Sequence, residues 1–267
     1  MIRPSECAVL VPSCDAYADL WPPFVSLFWR YWPDCPFHVH LGTNVLSFED
    51  ARVDVIHADH GKNWTNRVRE QLEALSTPYV LLVLEDFFLR RPVNTQDVLA
   101  AFDLLRNLDG HMLRLVPRPK PDIPVVRSPL LGTIAPGAPY RVSTQAAIWK
   151  RETLLALMRE GESIWEFELK GTRRSIEYAD GFYGVWRPLL TYGHHVVERG
   201  KWFPWEARRF GRMNIGCDFH RRQVMTSAEA LRWTSRKVLA VTLGLIPWRR
   251  RLALLRALRR PSVFDSP

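Results

Sequence analysis

The sequence predicts an α/β domain, a sheet flanked by helices, followed by a basic helical tail. Three observations carry this. Short apolar runs alternate along the chain with segments of helical periodicity, the pattern of a sheet whose crossovers are helices. One run, Tyr79–Leu84 (YVLLVL), is apolar without interruption, as expected of a strand covered on both faces. The charge is segregated. Residues 199–260 hold 16 Lys/Arg against three acids, whereas residues 1–198 hold 21 against 24.

The elements follow in order. Cys7–Val11 reads as a buried strand, closed by Pro12-Ser13-Cys14-Asp15. Pro22–Trp32 has helical spacing behind a Pro-Pro start. Phe37–Leu41 and Val53–His57 read as strands. Trp64–Leu75 is a helix with Val68, Leu72 and Leu75 on one face, and Asn63 or Thr65 can cap it. Thr95–Asn107 is a helix and Met112–Val116 a strand. Residues 117–139 hold seven prolines and two glycines, which predicts a loop or flap. Tyr140–Trp149 reads as a strand leading into a helix over 151–160. From about Ser227 the chain reads as helical and basic.

At 267 residues, 47% apolar and 24% charged, the chain has an ordinary globular balance, which excludes disordered and fibrous classes. No apolar run is long enough to span a bilayer, and the first residues lack the pattern of a signal peptide. Four cysteines, Cys7, Cys14, Cys35 and Cys217, lack zinc-site spacing. Cys7 and Cys14 are expected as reduced core thiols, and with them a cytoplasmic protein. The basic excess sits in the last quarter rather than on the domain. That disfavours nucleic acid as the partner of the whole fold and favours an anionic membrane surface. Residues 249–260, RRRLALLRALRR, form a loosely amphipathic basic helix suited to such a surface.

Several stretches carry chemistry. Glu85-Asp86 directly follows YVLLVL, and ligands of open α/β sheets sit at the carboxyl ends of strands. Paired carboxylates there suit a hard divalent cation that also takes substrate phosphates. Asp15 follows the first strand, where an Asx turn and a ligand contact are equally well served. Arg67 lies in the first helical turn after Asn63, out of place for the helix dipole unless a phosphate or the acidic pair faces it. Glu162-Ser163-Ile164-Trp165-Glu166-Phe167-Glu168 interleaves acids with aromatics. A carboxylate in an apolar pocket acquires the raised pKa of a general base. Ser143-Thr144-Gln145 offers small polar groups for hydroxyls. His194-His195, Glu198 and Lys201 form a late polar group.

A buried strand ending in an acidic pair resembles the metal motif of GT-A glycosyltransferases, with Leu84-Glu85-Asp86 in place of the commoner Asp-x-Asp. The wider pattern resembles bacterial glycosyltransferase-like proteins of surface-polysaccharide clusters. It is carried by Ser13-Cys14-Asp15 with Trp21, Tyr31-Trp32-Pro33, Asn63-Trp64, Glu85-Asp86-Phe87-Phe88, Ser143-Thr144-Gln145-Ala146, Trp165-Glu166-Phe167-Glu168 and Gly200-Lys201-Trp202.

The resemblance implies a GT-A-like, Rossmann-like mixed sheet over residues 1–225 with a helical tail over 226–267. It implies transfer of a sugar from a nucleotide-sugar donor to a glycan or lipid-linked acceptor at the inner face of the cell membrane. Glu85 and Asp86 would hold Mn²⁺ or Mg²⁺. Asp15, Arg67 and Lys201 would bind the donor, and Glu166 or Glu168 would be the base. Two rival readings are a glycan-binding or scaffold protein on a degenerate fold of this kind, and nucleic-acid binding through the Arg-rich tail.

Overall fold

The computed structural model describes residues 4–58, 63–126, 128–193 and 196–234. The expectations placed on His194-His195 and on residues 249–260 lie outside them.

The chain forms an α/β architecture around a nine-stranded mixed sheet. Its strands are β1 (Cys7–Pro12), β2 (His38–Thr43), β3 (Val53–His57), β4 (Tyr79–Leu82), β5 (Met112–Arg114), β6 (Ile123–Val125), β7 (Ser128–Thr133), β8 (Ala147–Lys150) and β9 (Phe182–Val185). The order across the sheet is β3-β2-β1-β4-β8-β5-β9-β7-β6. β1 to β4 run parallel, β8 runs antiparallel between β4 and β5, and β5 and β9 are parallel. The helices are α1 (Trp21–Tyr31), α2 (Trp64–Glu73), α3 (Thr95–Asn107), α4 (Arg151–Leu157), α5 (Ile164–Arg174) and α6 (Pro204–Gly211).

Two-sided burial explains the apolar strands. Successive side chains on a strand point to opposite faces. Val9 and Val11 of β1, with Leu81 of β4, pack with Phe24, Phe28 and Phe102 from α1 and α3. Ala8 and Leu10, with Val80 and Leu82, pack with Val68, Leu72, Leu154 and Phe167 from α2, α4 and α5. Each of these two strands therefore serves two cores. The caps follow ordinary chemistry. Asn94 accepts from the backbone N–H of Gln96 and Asp97 at 3.0 and 3.3 Å, opening α3. Ser163 and Glu166 form a capping box that opens α5.

The proline-rich stretch is more than a loop. It contains the antiparallel pair β6 and β7. Pro124 is tolerated because β6 is the sheet edge and pairs on one side only. Conversely, the strand expected over 140–149 is shorter. Tyr140 has φ of 55°, which ends any extended run, and pairing begins at Ala147. The acid-rich stretch at 162–168 leads into α5, with Ser163 as its N-cap. Neither Asn63 nor Thr65 caps α2. Asn63 makes no side-chain cap bond, and the Thr65 hydroxyl donates to the Glu162 carbonyl and accepts its N–H, each at 3.1 Å.

Beyond β9, a two-stranded ribbon, β10 (Val197–Glu198) and β11 (Lys201–Trp202), leads into α6. Residues 227–234 are helical behind a Thr226–Glu229 capping pair. Among the described residues, no helix is long and apolar enough to cross a membrane. The four cysteines are free thiols.

Candidate active site

The carboxyl ends of β1 and β4 lie side by side because the two strands pair in parallel. That pairing continues past β4, where the Val83 N–H donates to the Leu10 carbonyl at 3.0 Å. The chain then turns. Glu85 and Asp86 occupy the turn, closed by the Phe87 N–H on the Leu84 carbonyl at 3.0 Å. Both acids are half-buried, and Phe87 and Phe88 behind them are buried. The apolar floor withdraws solvent from two adjacent carboxylates.

Their electrostatics follow. Burial, and then the Asp86 charge, raises the Glu85 pKa to about 8. Burial raises Asp86 to about 7, with Glu198 adding to the rise. Arg222 and Arg67 oppose the shift at Glu85, and Arg222 opposes it at Asp86. Arg67, at the start of α2, is therefore within electrostatic reach of Glu85. The same group reaches the loop after β1. The Cys14 thiol is raised by burial and feels both Arg67 and Glu85. The Tyr17 hydroxyl is raised by burial and feels Glu85, Arg222 and Asp86.

Arg222 comes from the C-terminal quarter. Its Nε and Nη2 donate to the two oxygens of Asp19 at 2.8 Å each, and Nη2 also donates to the Ala16 carbonyl at 2.9 Å. Its guanidinium lies 4.6 Å from the centre of the Tyr17 ring. Nothing local in the sequence separates Arg222 from its neighbour Arg221, which is exposed. The difference is made by the fold, which seats one of them on Asp19.

Glu168 and the Ser143-Thr144-Gln145 stretch form a second group. The Thr144 N–H and hydroxyl both donate to Glu168 Oε1, at 2.7 and 2.9 Å. Burial raises the Glu168 pKa against these bonds and against Arg114. Gln145 Oε1 accepts from the Tyr192 hydroxyl at 3.0 Å, and that hydroxyl accepts the Ala146 N–H at 3.2 Å. The Tyr192 ring stacks on Phe87, centroids 4.3 Å apart. A continuous chain of contacts therefore joins Thr144-Gln145 to the residue that follows Asp86. Tyr192 carried no sequence signal of this role.

Three expected site residues are engaged elsewhere. The Asp15 carboxylate accepts the backbone N–H of Asn44, Val45 and Leu46 at 3.0 to 3.3 Å. It ties the loop after β1 to the loop after β2. Glu166 bonds the Ser163 N–H and hydroxyl at 2.9 and 2.8 Å and pairs with Lys170 at 3.0 Å. Those bonds, the Ser163 N–H first, hold its pKa down to about 2, where a carboxylate is a poor base. The Lys201 ammonium pairs with Glu229 at 2.7 Å and so secures helix 227–234. The buried Glu162 forms a two-bond ion pair with Arg174 at 2.8 and 2.7 Å.

Among the described residues, no group of three His, Cys, Asp or Glu is arranged to hold a metal ion. Glu85 and Asp86 supply two hard oxygen donors whose mutual repulsion a cation relieves. That set fits Mg²⁺ or Mn²⁺, which complete their shells with phosphate oxygens and water.

No protein-family model matches the chain, and no curated protein matches it in sequence. Among solved structures, the chain is similar to the crystal structure of S. aureus TarS 1–349 in complex with UDP. Identity is 12% over 67% of this chain and 57% of that one, with a TM-score of 0.45. It is also similar to 2-C-methyl-D-erythritol 4-phosphate cytidylyltransferase from Thermus thermophilus, at 12% identity over 77% and 97% with a TM-score of 0.43. A third is CMP:2-keto-3-deoxy-manno-octonic acid synthetase complexed with CTP, at 12% identity over 68% and 88% with a TM-score of 0.40. The match thus spans little more than half of the TarS fragment.

Proposed function

We propose that the chain is a glycosyltransferase that moves a sugar from a nucleotide-sugar donor to a glycan or lipid-linked acceptor in surface-polysaccharide synthesis. The observation that carries this is the acidic pair Glu85-Asp86 just past β4, beside the carboxyl end of the parallel β1, with Arg222 within electrostatic reach of both acids and Arg67 of Glu85. Two carboxylates flanked by two guanidinium groups suit a diphosphate and its cation. Glu85 and Asp86 would hold Mn²⁺ or Mg²⁺, which would supply Lewis-acid stabilisation of the leaving diphosphate. Arg67 and Arg222 offset the phosphate charge that develops as the donor bond breaks.

Glu168 is the base on the acceptor side. Thr144 fixes its Oε1, which leaves Oε2 to take the proton of the acceptor hydroxyl. Burial raises its pKa above the ordinary carboxylate value, which makes it a stronger base for that transfer. In this reading the protein works in the cytoplasm, on the inner face of the membrane, and the basic tail makes the attachment to anionic lipid.

The test is calorimetric titration with UDP, GDP and CDP, with Mn²⁺ and then with EDTA, followed by a turnover screen of nucleotide sugars. Metal-dependent binding of one nucleotide and release of that nucleotide on turnover are expected. Absence of binding by every nucleotide in the presence of Mn²⁺ sinks the reading.

A further inference from the structure

Helix α6 is unusually one-sided. Its inner face holds Ala207, Phe210 and Glu206, all buried. Glu206 is its only acid, and that carboxylate turns inward to pair with Arg90. Phe210 meets Phe88 edge to face, centroids 5.1 Å apart. The helix is thus fastened behind the Glu85-Asp86 turn. Its outer face presents Trp205, Arg208 and Arg209, and Arg212 just beyond, spaced i, i+3, i+4 and i+7. All four are exposed, Trp205 by 51%.

The helix over 227–234 packs next to it. Phe203 packs against both Trp205 and Trp233, with centroids 4.5 and 4.8 Å apart. One aromatic cluster therefore joins the two helices. Helix 227–234 exposes Leu231, by 71%, and Arg232. Over residues 199–234 the exposed charges are Arg199, Arg208, Arg209, Arg212, Arg221 and Arg232 against Asp218, with the part-exposed Lys201 and Glu229 paired to each other. The chain beyond residue 234 adds eight Lys/Arg and one acid, Asp265.

We propose that the outer face of α6, together with Leu231 and Arg232, is a docking surface for an anionic lipid bilayer. Charge complementarity selects the partner's sign. The mixture selects its class: an exposed Trp among arginines suits the headgroup boundary, where the indole sits at the interface and the cations meet lipid phosphate. An exposed Leu gains from an acyl boundary and has no equivalent partner on a polyphosphate backbone. The residues that follow alternate arginines with leucines at 249–260, so the composition of the face continues along the chain. This inference rests on the membrane attachment proposed above but places part of it on the folded body, behind the acidic turn.

The test uses the full chain and vesicles of phosphatidylcholine with phosphatidylglycerol. Replacing Arg208, Arg209 and Arg212 together by Gln is expected to weaken vesicle binding about a hundredfold. Trp205→Ala weakens it too, whereas Trp205→Phe and the triple Lys variant bind as the wild type does. The Lys variant and an unchanged melting temperature separate loss of docking from loss of fold. Wild-type binding by the triple Gln variant, with loss only when Arg249, Arg250, Arg251, Arg256, Arg259 and Arg260 are neutralised, overturns this inference and leaves tail attachment standing. Absence of vesicle binding by the wild type overturns both. Loss of polythymidylate binding with vesicle binding retained in the triple Gln variant also overturns it, in favour of a nucleic-acid face.

Discussion

Arg222 grips Asp19 with two hydrogen bonds of 2.8 Å, and neither side chain is more than 9% exposed. The pair fastens the C-terminal quarter to the loop that follows β1. It also places a cation beside Glu85 and Asp86. A single contact thus has a structural and an electrostatic consequence, and the two can be separated by mutation.

Asp19→Ala leaves a buried guanidinium without its counter-charge and is expected to cost about 3–5 kcal/mol. The double variant Asp19→Leu/Arg222→Met removes both charges and is expected to recover most of that loss. It should still bind nucleoside diphosphate more weakly than the wild type, because the cation is gone. Urea denaturation and calorimetry on the same samples check this. Full recovery of nucleotide affinity in the double variant would remove Arg222 from the donor site.

The acidic turn makes stability depend on pH in a defined direction. Folding raises the pKa of Glu85 from 4.5 to about 8 and of Asp86 from 3.8 to about 7. Between those limits the folded chain holds protons that the unfolded chain has lost, so this contribution to stability declines as pH rises. It is complete below pH 4 and gone above pH 8. Glu85→Gln should flatten the decline and make the metal-free protein more stable than wild type at pH 8. Urea midpoints at pH 5 and pH 8 for both proteins decide it, and equal pH dependence would contradict the burial of the pair. Mn²⁺ affinity should rise over the same window, since ligating carboxylates must first lose their protons.

Glu168 and Glu166 stand two residues apart, and their environments assign them different tasks. Glu168→Gln is expected to lower kcat about 10²- to 10⁴-fold while donor affinity persists. Glu166→Gln keeps an N3 side chain able to complete the capping box but loses the Lys170 charge pair, so it should lower the melting temperature slightly and leave turnover intact. Steady-state kinetics with a nucleotide titration compares them. If Glu166→Gln loses turnover with its melting temperature unchanged, the assignment reverses.

Tyr192→Phe keeps the ring on Phe87 but removes the hydroxyl that accepts the Ala146 N–H and donates to Gln145. The buried N–H is orphaned, and the expected cost is about 1–3 kcal/mol. Chemical denaturation measures it. Unchanged stability would mean that water replaces the hydroxyl.

Much of the scaffold was legible in the chain itself. Tyr79–Leu84 reads as a strand buried on both faces, and β4 is that strand over Tyr79–Leu82. The bounds of β3 and α3 were readable from periodicity, and the position of Glu85-Asp86 followed from the end of that strand. Local pattern could do this because it records which face of an element meets the core. It does not record which remote polar group a side chain will find. Arg221 and Arg222 look alike until the fold brings one onto Asp19. Glu166 and Glu168 share an acid-aromatic alternation, and the α5 cap takes one while Thr144 meets the other. Lys201 is drawn to Glu229, and Asp15 to the backbone of residues 44–46, because the topology sets those partners beside them. Burial is a property of a segment and can be read from its period. A polar pairing is a property of two segments, and only the tertiary structure brings them together.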